Sequence, residues 1–275
     1  MAIESTSSLA ANGRRATSLE DLSAPARAYF RDGLREARSA AFRDAEGFQS
    51  VVFAIERLGS ALVGKAGALK DYRDALFDLA RRSSLAEELP KAKPEWHATF
   101  SSLYRLVTQG RNDALHQGAY ARRLAVHAVQ LSLILEDALM EGQNLVRDFM
   151  VRDVVCAVPW QPISAARQLM LTNSFSFLPI HTDWKSSTRW LLISDYAIAK
   201  FLLSSSSATE RTRRLAATVQ EAIASTRLEV EEADICWPED PLNEVLKTRA
   251  RRLLLVLDRS NTAHLAGAIT AFDLL

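Results

Sequence analysis

Two short stretches of this 275-residue chain combine residue types that can do chemistry. The first is Gln109-Gly110-Arg111-Asn112-Asp113-Ala114-Leu115-His116-Gln117-Gly118. A histidine titrates near neutral pH and can take a proton from a hydroxyl. An arginine stays charged, and its planar fork matches phosphate oxygens. Asn112 can orient either the phosphate or His116. The second is Gly267-Ala-Ile-Thr270-Ala-Phe-Asp273-Leu-Leu, the last nine positions. There a hydroxyl and nearby backbone amides, where a strand runs into a helix, can hold a phosphate. Asp273, one helical turn later, can accept hydrogen bonds from a pair of hydroxyls.

Spacing alone does not single out Arg111 and His116. Among 27 Arg and five His, the pairs Arg122/His127 and Arg259/His264 repeat the same separation. Two features set the first pair apart: Asn follows Arg111, and an entry turn leads into a long apolar helix. Residues five apart on a continuous helix do not share a face. Gly110 and Asn112-Asp113 therefore predict a helix start here, with Arg111 on the preceding turn and folded back. The plain alternative pairs Arg111 with Asp113 or Glu136 and leaves His116 on the surface. His127 reads as a packed core histidine. Glu56, on an otherwise apolar helix, either positions Arg111 or faces solvent.

The elements that must carry these residues differ between the two halves. From 19 to about 148 the pattern is helical. Ser23-Ala-Pro25 starts a helix, and Phe48, Val52, Phe53, Ile55, Leu58 and Leu62 form a stripe of helical period. Leu89-Pro-Lys-Ala-Lys-Pro94 is a break. Two more helices follow, the last running from Leu115 to about Leu145 with a strongly apolar middle, as expected for the centre of a bundle or a dimer face. Beyond Asp148, short β-type runs at 175–180, 190–194, 253–257 and 265–270 alternate with helices, which predicts an α/β domain. A long amphipathic helix is expected over 209–226. Trp184 and Trp190 flank a polar loop and read as hairpin packing rather than a base-stacking platform.

The second half is also duplicated. Pro159-Trp-Gln-Pro162-Ile163 aligns with Pro238-Glu-Asp-Pro241-Leu242 at an offset of 79. A helix follows each, with Ser164 and Asn243 as expected N-caps. An apolar strand comes next, then a second strand running into a helix.

Composition bounds the function. Lys and Arg total 34 against 33 Asp and Glu, a formal net charge of +1, and both halves are balanced. Neither half carries the broad positive field of a dedicated nucleic-acid binder, so any RNA contact must be a local cluster. The cysteines, Cys156 and Cys236, are too few for a disulfide framework and too isolated for a zinc site, and read as small buried hydrophobes. No His/Asp/Glu cluster has metal-ligand spacing. The first 18 residues read as a loose tail with no secretory signal. No apolar stretch approaches the roughly 20 residues needed to span a bilayer, which predicts a cytoplasmic protein with no membrane partner.

The repeat and the Gly267-x-x-Thr270-x-x-Asp273 string together resemble a tandem pair of CBS motifs, nucleotide-sensing modules named after cystathionine β-synthase. The resemblance implies an adenine-nucleotide site in which Thr270 contacts phosphate, Asp273 binds the ribose hydroxyls, and the adenine packs near Ile235 to Pro238, with Gly267 completing the signature. The first half-repeat departs from the pattern. Leu191 replaces the glycine and Ala197 stands where the ribose-binding Asp is expected, while Ser194 is retained and Asp195 is displaced by one. One good site and one doubtful site are therefore expected. The closing helix is cut to about one turn at Leu275, an expected apolar edge for another subunit to cover.

The Arg111-Asn112-x-x-x-His116 string resembles the signature of HEPN domains, helical bundles many of which are metal-independent endoribonucleases. That resemblance implies catalysis by Arg111, Asn112 and His116 at a dimer interface on an RNA substrate, with no cofactor required. The expected organisation is two domains: a tail over 1–18, an all-α HEPN-like bundle over 19–148, and an α/β CBS pair over 149–275. Within the pair, the first motif spans about 149–203, a linker helix about 208–228 and the second motif about 229–275. The functional expectation is a homodimeric endoribonuclease regulated by an adenine nucleotide such as AMP or ATP. The alternative is a non-enzymatic nucleotide sensor whose helical domain dimerises or docks a protein.

Overall fold

A computed structural model of the chain describes residues 22–43, 47–113, 118–249 and 253–274. It divides into two compact units, Met1–Gln143 and Asn144–Leu275. The N-terminal unit is helical, and the C-terminal unit carries the sheets.

The first unit contains α1 (Ala24–Arg43), α2 (Phe48–Val63), a 3-10 turn (Leu69–Tyr72), α3 (Arg73–Ala80), α4 (Glu88–Ala92), α5 (Phe100–Asp113) and α6 (Gly118–Met140). Most of the stripe read in α2 is its core face: Phe48, Val52, Ile55, Leu58 and Leu62 are buried together with Val51, but Phe53 is 55% exposed and lies off that face. Helix α6 packs against α1, α2, α3 and α5, so it is the central helix of the bundle. Its Ala128, Leu131, Leu135, Ala138 and Leu139 are fully covered, and each covered leucine contributes about 1.5–3 kcal/mol relative to exposure. Glu136 is also buried on α6. Burial pushes its carboxyl up, while Arg38 opposes the shift through two bonds of 3.2 and 3.0 Å, and Arg35 approaches to 3.5 Å. Glu136 is thus engaged by α1. The segment read as a break forms the short α4, because Pro90 falls in its first turn, where a missing amide costs no helical bond.

The second unit contains α7 (Val146–Phe149), α8 (Ile163–Asn173), β1 (Phe177–Trp184), β2 (Ser187–Ser194), α9 (Asp195–Leu203), α10 (Ala208–Ala216), α11 (Val219–Ala224), β3 (Glu231–Glu232), β4 (Asp234–Cys236), α12 (Leu242–Arg249), β5 (Leu253–Asp258), β6 (Asn261–Thr270) and a 3-10 turn (Ala271–Asp273). They build two sheets, β1-β2-β3 and β4-β5-β6. Strands β1 and β2 form a tight hairpin through Lys185 and Ser186, whose φ values of 47° and 68° match a two-residue turn with both centres left-handed. Trp190 is buried in this hairpin and donates from Nε1 to the carbonyl of Thr262 at 2.9 Å, a packing role. One face of each sheet meets a shared apolar layer containing Trp190, Leu192, Ala233, Leu255, Leu257 and Ala268. The other faces are covered separately, by α8, α9 and α11 in the first lobe and by α7 and α12 in the second.

The duplication is written in backbone hydrogen bonds. The amide of Val219 donates to Gln161 O at 2.9 Å, and that of Val146 to Asp240 O at 3.0 Å. Gln220 N donates to Pro159 O and Arg147 N to Pro238 O, both at 3.0 Å. In each lobe the Pro-x-x-Pro segment is therefore gripped by a short helix that opens the other half-repeat. The exchange continues into the sheets. After α11, β3 pairs with β2 of the first lobe. After α7, Val151 exchanges two hydrogen bonds, 2.8 and 3.0 Å, with Ala268 on β6 of the second.

Two sequence expectations change for the same reason. The single helix expected over 209–226 is α10 and α11, broken at Ala217 and Thr218, both extended. Thr218 there caps α11 in a reciprocal box with Glu221. The break lets Ala217 present its carbonyl to the amide of Ile163 at 2.9 Å, as Asn144 does to Leu242 at 2.8 Å. Ser164 and Asn243 accordingly lie inside the first turns of α8 and α12 rather than capping them.

Candidate functional site

Thr270 ends β6, and Asp273 closes the 3-10 turn that follows. Asp273 is buried, and its Oδ2 accepts hydrogen bonds from the backbone amide of Thr270 at 2.7 Å and from its hydroxyl at 2.8 Å. The two residues are thus one unit, a carboxylate folded back over the strand end. Gly267, three residues earlier on β6, meets the exchanged segment. A Cβ there would stand 2.8 Å from the carbonyl of Val151 and 2.9 Å from Met150 Sδ. Glycine is required at that position by close backbone approach.

Register sets what else faces Thr270. It pairs with Leu253 on β5, while on the other side of β5 Asp234, Ile235 and Cys236 pair with Leu254, Leu255 and Val256. The residue level with Thr270 is therefore Ala233, across two strand spacings, or about 10 Å. Ile235 lies further along, half-buried in the layer between the sheets. Trp237 and Pro238 lie toward the opposite end of β5. Trp237 carries the Arg259 guanidinium 5.1 Å from its ring centroid. Sequence reasoning did not find Ala233. It is the point where the chain leaves the first sheet after β3 and enters the second at β4, and its amide donates to Trp190 O at 3.2 Å. No residue type marks such a crossover.

The first lobe is built differently at the matching place. The Ser194 hydroxyl accepts from Ala197 N at 3.0 Å and caps α9. Ala197 is buried at the position that matches Asp273 in the repeat, and Asp195 is exposed and turned onto the amide of Tyr196. Leu191, in place of the glycine, is fully buried. This lobe has the cap without the carboxylate.

In the helical unit, Arg111 and Asn112 fall in the last turn of α5, so the helix ends here rather than starting. Their side chains, and all of His116, lie outside the described residues. Gly110 is buried at the crossing with α6, where a Cβ would come within 2.0 Å of Leu124 Cδ2. The stretch thus belongs to a close helical hairpin. Glu56 Oε1 accepts from Leu69 N at 3.0 Å and caps the 3-10 turn, and the Arg111 side chain that it was expected to position lies outside the described residues. His127 is half-buried, and its Nδ1 has no hydrogen-bond partner among the described residues. Cys236 is buried and Cys156 half-buried, with burial pushing the Cys156 thiol up. Among the described residues, no group of three His, Cys, Asp or Glu could hold a metal ion, and no helix is long and apolar enough to cross a membrane.

No family model and no curated protein matches this chain. Several solved structures resemble it over about half its length. One is a CBS domain-containing protein of unknown function from Bacillus anthracis, 17% identical over 48% of this chain and 89% of that one, with a TM-score of 0.37. Another is CBSX2 in complex with AMP, 18% identical over 47% and 92%, with a TM-score of 0.34. A third is the CBS domain pair of protein MJ0100, in complex with 5′-methylthioadenosine and S-adenosyl-L-methionine, 18% identical over 47% and 91%, with a TM-score of 0.34.

Proposed function

We propose that the C-terminal unit is a CBS-type pair that binds one adenine nucleotide in its second lobe and passes that state to the helical unit. The observation that carries this is the Thr270 and Asp273 pair at the end of β6, level with the Ala233 crossover between the two sheets. A carboxylate offers about four lone-pair directions, so a ribose can share it with Thr270. The first lobe, with Ala197 in place of the carboxylate, binds weakly or not at all.

The test is isothermal titration of the full chain with AMP, ATP and S-adenosylmethionine. At least one should bind, and Asp273→Asn should weaken it by about tenfold or more, the worth of a charged hydrogen bond. Asp195→Asn should leave binding unchanged. Equal affinity in the wild type and Asp273→Asn would remove the second lobe as the site.

A second reading concerns the output. Arg111 and Asn112, ending α5 at the close hairpin with α6, favour a helical unit that acts as a HEPN-type, metal-independent endoribonuclease, with His116 as base and a homodimer completing the site. RNA cleavage in excess EDTA, abolished in His116→Ala and altered by the bound nucleotide, is its expected signature. Nucleotide binding without cleavage would leave a sensor whose helical unit docks a protein partner.

A further inference from the structure

The helical unit contains a cavity of about 620 Å³ bordered by the 3-10 turn with α3 on one side and α5 on the other. Its walls include Lys70, Arg73 and Arg105, together with Ser101, Ser102 and Tyr104. Among the described residues none of the three cations forms an ion pair. Arg31, Arg35, Arg38 and Arg82 of the same unit are engaged by carboxylates; what sets these three apart is that they share one cavity wall.

Three acids, Glu56, Asp71 and Asp74, stand near enough to act on Tyr104, and among the described residues none is ion-paired with the three cations. Asp71 is turned onto the amide of Ala68 at 2.8 Å, and Glu56 onto that of Leu69 at 3.0 Å. Asp74 is exposed and does not line the cavity. Tyr104 supplies no charge: its buried hydroxyl donates to the carbonyl of Leu69, and burial raises its pKa far beyond the ordinary phenol range. It is a neutral floor. Ser102 accepts from the Thr99 hydroxyl at 3.0 Å, which leaves its own proton to donate. Thr108, by contrast, spends its proton on the carbonyl of Tyr104 at 2.8 Å.

The geometry points to this cavity as the binding site of a phosphorylated small molecule carrying at least two negative charges, held by Arg73, Arg105 and Lys70, with Ser101 and Ser102 as neutral donors. Two guanidinium forks and an ammonium match phosphate oxygens, and the volume lies within the range of roughly 300–1,000 Å³ usual for small-ligand sites. This site is separate from the nucleotide site proposed for the C-terminal unit and does not depend on it.

The experiment uses the full chain carrying Asp273→Asn, which weakens the second-lobe site, and the Arg73 and Arg105 variants then assign the binding that remains. Pyrophosphate, ATP, adenosine and a ten-nucleotide single-stranded RNA (a length of about ten suffices to bridge the cations) are titrated calorimetrically. Pyrophosphate and ATP should bind with an affinity that falls as salt rises, and adenosine should not. The double variant Arg73→Ala/Arg105→Ala should lose about tenfold or more. The control Lys91→Ala/Lys93→Ala should not change, and Arg105→Lys should keep part of the affinity. Unchanged thermal melting of these surface variants shows that they fold. Binding of RNA alone overturns the proposal in favour of a polynucleotide groove. So does adenosine binding as tightly as ATP, or binding indifferent to the Arg73 and Arg105 changes.

Discussion

At the scale of single residues, side-chain chemistry and backbone geometry were not equally visible. The Thr270 and Asp273 pair could be read from the sequence because a hydroxyl and a carboxylate that fold onto each other need those residue types at that spacing. The reason for Gly267 could not: it lies in the carbonyl of Val151, more than a hundred positions away. Gly267→Ala must push against backbone rather than a flexible side-chain tip, so we expect a loss of about 1–3 kcal/mol, the usual cost of overpacking. Urea denaturation will measure it, and an unchanged midpoint would show that the exchanged segment yields freely. Lys70, Arg73 and Arg105 gave no sequence signal either, since acids beside them balance the local charge. Only the fold shows that one of them, Asp71, is turned onto an amide.

At the scale of elements, the strands were legible because buried runs such as Leu253 to Leu257 are continuous and bounded by polar turns. The linker was not. Its amphipathic pattern crosses Ala217 and Thr218 without a proline or glycine, and the break arises from the carbonyl that Ile163 requires. Helix α10 has its own lock. Glu210 accepts from the amide and hydroxyl of Ser206 at 2.7 and 2.6 Å and pairs with Arg214, which in turn bonds the Phe201 carbonyl at the end of α9. Bonds from Ser206, then Arg214, lower the Glu210 carboxyl from 4.5 to about 2. An acid whose pKa is lowered by folding supports the fold fully above its unfolded value and loses that support as pH falls toward the folded one. The lock should therefore hold above pH 4.5 and fade between there and about 2. Carbon-13 titration of the Glu210 carboxyl should place its midpoint near the lower figure, and Glu210→Gln should flatten acid sensitivity in this window. A midpoint at the ordinary glutamate value would mean the lock is not populated.

At the scale of the whole molecule, each unit has its own apolar core, Leu22 to Leu139 in one and Val146 to Ile269 in the other. A nucleotide bound in the second lobe at about 100 times its Kd should stabilise the C-terminal unit by about 2.7 kcal/mol. Calorimetry should show a shift that Asp273→Asn cuts by about half or more, and a shift undiminished by this change would place the ligand elsewhere. The exchanged opening segments carry a consequence in time. A chain leaving the ribosome completes β1 and β2 early, but the short helix and strand that finish their lobe follow only at 219–232. The helix at Val146, synthesised long before, waits for a seat at Pro238 and a strand partner at Ala268. The first lobe can close once the chain reaches Glu232, but the second, whose opening helix precedes the first, must wait until Ala268 has been made. Such non-local pairing slows folding and leaves apolar edges exposed meanwhile, so this unit should depend on chaperones until the segments it exchanges are all in place.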